Sequence, residues 1–246
     1  MKKTVLVVLA VFVLSNLFGQ VFQQGDIIIN GNMGGPQITP FVLRTGLNTY
    51  YKLKADKGKN EQYTFNITNN GVYNAKTEYG VTENVGLGFA GSYWDMTIKM
   101  DNNYRDNDPV TNLSSDFIDK YTFKVSALAL GLRGNYHFVD DIKSKRIDPY
   151  TGITIGATRY TYDIAFESSM PGKTLPVNVY KWRSGWGTYF STTFGIRYFP
   201  VSFIGLNAEI GWDRGAFLFG GIAFKIHSKP PKFLRDNEKK SEDVKK

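Results

Sequence analysis

Residues 186–199, WGTYFSTTFGIRYF, decide the fold because their side chains alternate in polarity with a period of two. One face carries bulky and mostly apolar side chains: Trp186, Thr188, Phe190, Thr192, Phe194, Ile196 and Tyr198. The opposite face carries small or polar ones: Gly187, Ser191, Thr193, Gly195 and Arg197. Such alternation predicts a β-strand with two unlike faces.

Seven other segments share this pattern and are separated by clusters of Asn, Asp, Gly and Pro, which are typical of turns. The eight predicted strands are residues 25–34, 72–81, 85–98, 121–138, 150–164, 186–199, 203–212 and 216–226. No useful helical period is present, so an all-β fold is expected. Residues 37–54 leave open an additional strand or a loop hairpin, because Phe41, Val42, Tyr50 and Tyr51 also favour strands.

The amino terminus has the three parts of a secretory signal. Lys2 and Lys3 precede an apolar run at 5–14 and a small-residue exit at 15–19, and the run is too short for a spanning helix. We therefore expect residues 1–19 to be a signal peptide, residues 20–227 one domain, and residues 228–246 a charged, flexible periplasmic tail. The absence of cysteine excludes a lipid-anchored amino terminus, disulfides and thiolate metal sites.

The formal net charge is +8, but two of these charges fall in the signal and three in the tail. The remaining domain carries only about +3, and no basic stripe with interleaved aromatics stands out. Nucleic acid is therefore not an expected partner.

Alternation alone fits both a soluble β-sandwich and a membrane barrel, which differ in the face that is buried. Two features favour a barrel with lipid outside and polar groups inside. Aromatic residues lie near strand ends, as an interfacial girdle requires: Tyr136, Phe138, Trp186, Tyr198 and Trp212. The polar face is rich in small residues, and its few charges have both signs, as a packed lumen network requires: Lys76, Glu78, Arg133, Arg197, Glu209 and Lys225.

The connections support the same choice. Tight turns at 83–84 and 201–202 alternate with long connections at 35–71, 101–120 and 167–185, so each kind lies at its own end of a barrel. The predicted fold is a closed, antiparallel, up-and-down transmembrane β-barrel of about eight strands, multi-pass in the outer membrane of a Gram-negative bacterium.

The chain resembles the small outer-membrane barrel proteins grouped with OmpX, OmpW and the OmpA transmembrane domain. The residues that carry the resemblance are EYGVTENVGLG at 78–88 and FGIRYF at 194–199 followed by LNAE at 206–209. The last strand, with Gly221, Phe224 and Ile226, also resembles the assembly signal of such barrels. The resemblance implies outer-membrane lipid and the barrel-assembly machinery as partners. Members of the family usually stop at a terminal aromatic residue, whereas this chain continues to Lys246.

Catalytic and metal-binding signals are weak. Only His137 and His227 are present, both at strand ends on the expected periplasmic side, where an isolated histidine is usually an interface residue. Asp101, Asp106 and Asp108 do not match the EF-hand spacing and are expected in a solvated loop. We therefore predict no enzyme, no cofactor and no metal site.

Three functions stay open. The first is a structural or surface-interaction role, in which the external loops bind an unknown protein or glycan. The second is a narrow channel for small or hydrophobic solutes, although eight strands leave little room inside. The third is an accessory barrel of an envelope secretion complex.

Overall fold

The computed structural model describes residues 21–55, 61–111, 113–139, 144–174 and 184–227. The predicted signal peptide and the charged tail lie outside these ranges.

Eight antiparallel strands form a closed ring in chain order, and the last strand pairs with the first. The strands are β1 (Asp26–Gln37), β2 (Gln62–Gly80), β3 (Val85–Asn107), β4 (Ser114–His137), β5 (Ile147–Ser168), β6 (Gly185–Val201), β7 (Ile204–Asp213) and β8 (Ala216–His227). The predicted all-β, up-and-down barrel is confirmed, and each predicted strand lies within or close to an observed one.

Apolar side chains face outward and polar side chains face inward, as predicted. On β4, Leu130 and Leu132 are each 67% exposed, whereas Ala129 and Arg133 are 0% and 2% exposed. A closed ring satisfies every backbone hydrogen bond within the protein, which strands need in order to cross a bilayer. The outer face therefore belongs against lipid and the polar face in the lumen.

The barrel has a lower, closed level and an upper, open level. We call the end with the tight turns, near Asn84 and Ser202, the lower end. Pairing of β1 with β2 stops at Gly34–Val72, and pairing of β6 with β7 stops at Thr192–Trp212. Above these points β2 to β6 continue as a five-stranded wall. β1, β7 and β8 have 12, 10 and 12 residues, close to the 9–11 or so that a tilted strand needs to span a membrane.

A β-bulge at Gly71 marks the point where β2 passes from the lower level into the upper level. Two residues of β2 oppose one residue of β3 between the pairs Asn69–Met96 and Val72–Trp94. Gly71 has a φ of 92°, a conformation that L side chains rarely adopt. The extra residue reverses the inward parity of β2, so Val72 and Asn74 face inward below the bulge and Ile67 faces inward above it.

The connection after β1 contains a helix, α1 (Ile38–Ala55), where the sequence left open an additional strand or a loop hairpin. Neither alternative is correct: the helix packs on the inner face of the wall through two apolar side chains four residues apart, Leu43 and Leu47. Pro40 lies in the first turn, where its missing N–H costs nothing. Within the described ranges, no helix is both long enough and apolar enough to cross a membrane.

The predicted long loop at 101–120 is mostly strand. β3 and β4 stay paired as far as Asn107–Ser114, which leaves a short turn at 108–113. The sequence did not predict this extension because its side chains, such as Asp101 and Asp106, are polar. A strand that rises above the membrane does not need an apolar outer face.

A candidate ligand cavity above a sealed lumen

Two linked groups of buried charges fill the lower lumen. In the first, Arg197 donates to Glu78 at 2.8 Å and to Asp148 at 3.0 Å. His137 lies between the same two carboxylates, with Nε2 2.5 Å from Glu78 and Nδ1 2.7 Å from Asp148. All four residues are at most 3% exposed. Because each charge has an opposite partner within hydrogen-bonding distance, their burial is compensated.

The second group is centred on Glu209. Its carboxylate pairs with Lys76, lies 3.7 Å from Arg133, and accepts a hydrogen bond of 2.6 Å from Tyr150. The Tyr150 ring also lies 3.9 Å from the Arg197 guanidinium, so it connects the two groups. Thus five of the six predicted lumen charges lie in one network.

The sixth predicted charge, Lys225, lies apart from the network. Its Nζ donates to the Val21 carbonyl at 2.8 Å and lies 5.1 Å from the centre of the Phe199 ring. Lys225 thus holds the chain segment that precedes β1.

His137 is not the interface residue that the sequence suggested. It is fully buried, and both ring nitrogens are bound by carboxylates, so neither is available to activate a nucleophile. Elsewhere in the described ranges, no group of three histidine or acidic side chains is placed to hold a metal ion.

The segment before β1 closes the lower end. Val21 and Phe22 are 1% and 0% exposed and pack with Val139, Phe199 and Ala223. The Phe22 ring stacks on His137 with centroids 3.5 Å apart. An apolar cluster therefore lies beneath the charged network, and together they fill the lower lumen.

The upper level encloses an apolar cavity of about 470 Å³, which we call the upper cavity. Leu43 and Leu47 of α1 form one side, and inward side chains of the wall form the other. The wall residues include Phe65, Trp94, Met96, Ile98, Met100, Phe123, Val125, Tyr160, Tyr162 and Ile164. An apolar, concave space of this size is typical of a site for a small ligand.

A second cavity of about 380 Å³, the side cavity, lies where β6 rises above the β7–β8 turn. It is lined by both outward residues, such as Phe190 and Trp212, and inward ones, such as Tyr189 and Arg214. Trp94 and Tyr160 line both cavities, so the two spaces adjoin.

The predicted girdle residues all face outward. Tyr136, Trp186, Tyr198 and Trp212 are 41–73% exposed. Phe138 packs edge-on against Tyr136, with ring centroids 5.2 Å apart. Tyr136, Phe138 and Tyr198 lie near the lower end and Trp212 near the top of the closed ring, whereas Trp186 pairs with Arg159 on the wall, six residues above Thr192. Two other aromatic residues, Tyr180 and Trp182, lie outside the described residues.

A polar cluster lies at the top of the wall. Lys173 Nζ is 2.6 Å from Asp119 and 2.8 Å from the Tyr104 hydroxyl. Burial lowers the pKa of Lys173, but the hydrogen bonds with Asp119 and Tyr104 outweigh burial and raise its pKa above 10.5. Lys173 is therefore protonated at neutral pH, and its charge is lost when the pH rises through that raised value.

Sequence reasoning missed Asp148, Tyr150, Asp213 and Arg214 as lumen residues. Tyr150 began a predicted strand whose inward face had not been assigned, and Asp148 lay in the predicted connection just before it. Arg214 lay in a predicted turn, where a charged side chain is ordinarily solvated. Alternate residues of β5 face inward, so counting back from Gly152 would have placed Tyr150 and Asp148 in the lumen.

A closed ring with an apolar outer band, a polar lumen and aromatic residues at both edges is the form in which β-strands cross the bacterial outer membrane. This chain is an outer-membrane β-barrel. The predicted resemblance to small eight-stranded barrels of this membrane is confirmed at the level of fold.

The chain matches no protein-family model, and a comparison with curated protein sequences finds no match. Solved structures that are similar to it include the following three. The N-terminal β-barrel domain of Pseudomonas aeruginosa OprF is 14% identical, with a TM-score of 0.35, covering 83% of this chain and 99% of that domain. Pseudomonas aeruginosa OprG is 11% identical, with a TM-score of 0.44, over 84% and 98% of the two chains. Ail, the attachment invasion locus protein of Yersinia pestis, is 10% identical, with a TM-score of 0.33, over 82% and 99%.

Proposed function

We propose that this outer-membrane barrel is a non-enzymatic surface protein that binds a small apolar molecule, or an acyl chain, at its external end. The observation that carries the proposal is the upper cavity, whose lining is apolar except for Lys124 and Asp163 from the outward faces of β4 and β5. Long connections of outer-membrane barrels are external, which puts α1 and the wall on the cell surface. The proposal keeps the predicted surface role and gives it a site.

The same geometry favours binding over conduction. A solute that leaves the upper cavity downward would have to cross the paired charges around Glu209 and Arg197, which are 4% and 0% exposed. Separating buried charge pairs costs several kcal/mol for each pair. The cluster of Val21 and Phe22 then closes the lower end. A narrow channel is therefore less supported than the surface-binding role.

The test uses Trp94, which lines the upper cavity and is only 8% exposed. Changing Trp182, Trp186 and Trp212 to Phe leaves Trp94 as the single tryptophan. The mature protein is refolded into lipid vesicles and titrated with decanol brominated at the chain end. We expect saturable quenching of Trp94 fluorescence.

Two further variants locate the bound chain. Val125→Phe fills the upper cavity and should weaken quenching strongly. Thr122→Phe adds the same ring to the outward face of β4 and should not. Folding of each variant is checked by its heat-modifiable mobility on a gel. Absent quenching, or equal quenching in the two folded variants, would refute the proposal.

A further inference from the structure

Among the described residues, Arg214 is the only charged one that lines the side cavity. It lies in the β7–β8 turn with a φ of 51°, and its guanidinium donates to Thr158. The rings of Tyr189 and Tyr160 lie 5.2 Å and 5.8 Å from the guanidinium carbon. The turn and the two rings therefore fix the group in a partly apolar setting, where a cation–anion attraction is stronger than in water.

Arg214 differs from the other inward arginines in its partners. Arg197 is paired with two carboxylates, and Arg133 lies 3.7 Å from Glu209. Within the part of the chain that the structure describes, no carboxylate lies within 4.0 Å of the Arg214 guanidinium; its buried Nε, like those of Arg133 and Arg197, has no hydrogen-bond acceptor.

The neighbouring carboxylate of Asp213 is directed elsewhere. It accepts hydrogen bonds from Tyr189 at 3.0 Å and from Ser92 at 3.3 Å, and it does not line the side cavity. The Arg214 guanidinium at the side cavity therefore has an N–H donor, at Nε, without an acceptor among the described residues.

The cation lies beside the apolar space. Because Trp94 and Tyr160 line both cavities, a molecule with a chain in the upper cavity can place its other end near Arg214. The outward residues Phe190 and Trp212 at the side cavity continue the same apolar lining to the lipid-facing surface.

We propose that the ligand of this barrel is a single-chain amphiphile with a carboxylate head group, which is held by Arg214 while its chain lies in the upper cavity. The inference rests on the proposed function and names the ligand class. One guanidinium balances one negative charge, and its planar fork matches the two oxygens of a carboxylate. A phosphate monoester carries nearly two charges at neutral pH and would leave one unbalanced.

The experiment compares two ligands that differ only in the head group. Single-tryptophan protein in vesicles is titrated with brominated decanoate and, separately, with the brominated decanol used above. Decanoate should bind more tightly than decanol. Arg214→Gln should weaken decanoate binding about tenfold and leave decanol binding unchanged, since a hydrogen-bonded charge pair is worth about one such factor.

The matched control is Arg159→Gln. It removes the same charge from an outward position on β5, where Arg159 lies 5.9 Å from the Trp186 ring and lines neither cavity. It should leave both affinities unchanged. If Arg214→Gln does not fold, Arg214→Gly removes the same guanidinium and places glycine at a positive φ, where it is preferred.

The outcomes separate the two proposals. Decanol binding without an Arg214-dependent gain for decanoate would overturn the carboxylate ligand, assign Arg214 a structural role as counter-ion of Asp213, and leave the apolar site standing. Absence of binding by both compounds would overturn both proposals.

Discussion

At the scale of single residues, the lumen network depends on a glycine that leaves room for a large neighbouring side chain. A Cβ added to Gly195 would lie 2.5 Å from Cζ of Tyr150, closer than any real contact. The Tyr150 ring thus lies over the β6 backbone, and the hydroxyl that donates to Glu209 also lies 2.8 Å from Oδ1 of Asn207.

We therefore expect Gly195→Ala to displace Tyr150 and to lower the free energy of unfolding by about 1–3 kcal/mol, the usual cost of overpacking. The measurement is the midpoint of urea unfolding in lipid vesicles. Gly220→Ala is the control, because a Cβ at that outward glycine has no atom within 4 Å. Equal midpoints for the two variants would contradict this account of Tyr150.

At the scale of elements, the β-strands of the ring were predictable and the upper level was not. Every ring strand separates lipid from lumen, so its sequence must alternate, as residues 186–199 do. Above the membrane this constraint ends. β2 reverses its parity at Gly71, and β3 carries polar side chains on both faces beyond Lys99.

The helix was missed for a related reason. Beyond the first turn of α1, Leu43 and Leu47 are the only half-buried side chains among those described, whereas Phe41 and Val42 are 72% and 57% exposed. A helical period cannot be recognised from two contacts. The lumen charges were recognisable from the sequence because they lie on the strand face that carries small and polar side chains. Their pairing was not recognisable, since it joins β2, β4, β6 and β7 across the ring.

The packing of α1 on the wall gives an element-scale prediction. Leu47→Asp should release the helix, because it puts a charge into an apolar cavity without a partner. Amide hydrogen exchange over residues 38–50 should become much faster, whereas the ring strands should keep their protection. Val42→Asp adds the same charge to the exposed face of α1 and should change little; similar rates in the two variants would show that Leu47 does not hold the helix.

At the scale of the whole molecule, the filled lower lumen predicts electrical silence. The refolded mature protein should give no discrete current steps in a planar bilayer, whereas a large open porin recorded alongside should. Arg133→Ala and Arg197→Ala should stay silent as well, because the apolar cluster of Val21 and Phe22 still closes the lower end. Discrete steps in the wild type, altered by either change, would instead establish a conducting path through the charged lumen.

The division into two levels has an evolutionary consequence. The ring is held by charge pairs and by an apolar cluster that share no residue with the upper cavity. Substitutions in the wall can therefore accumulate without loss of folding, while those in the lumen are purged. Descendants of one ancestral barrel could in this way acquire different ligands in different hosts and still present the same lower half to the membrane.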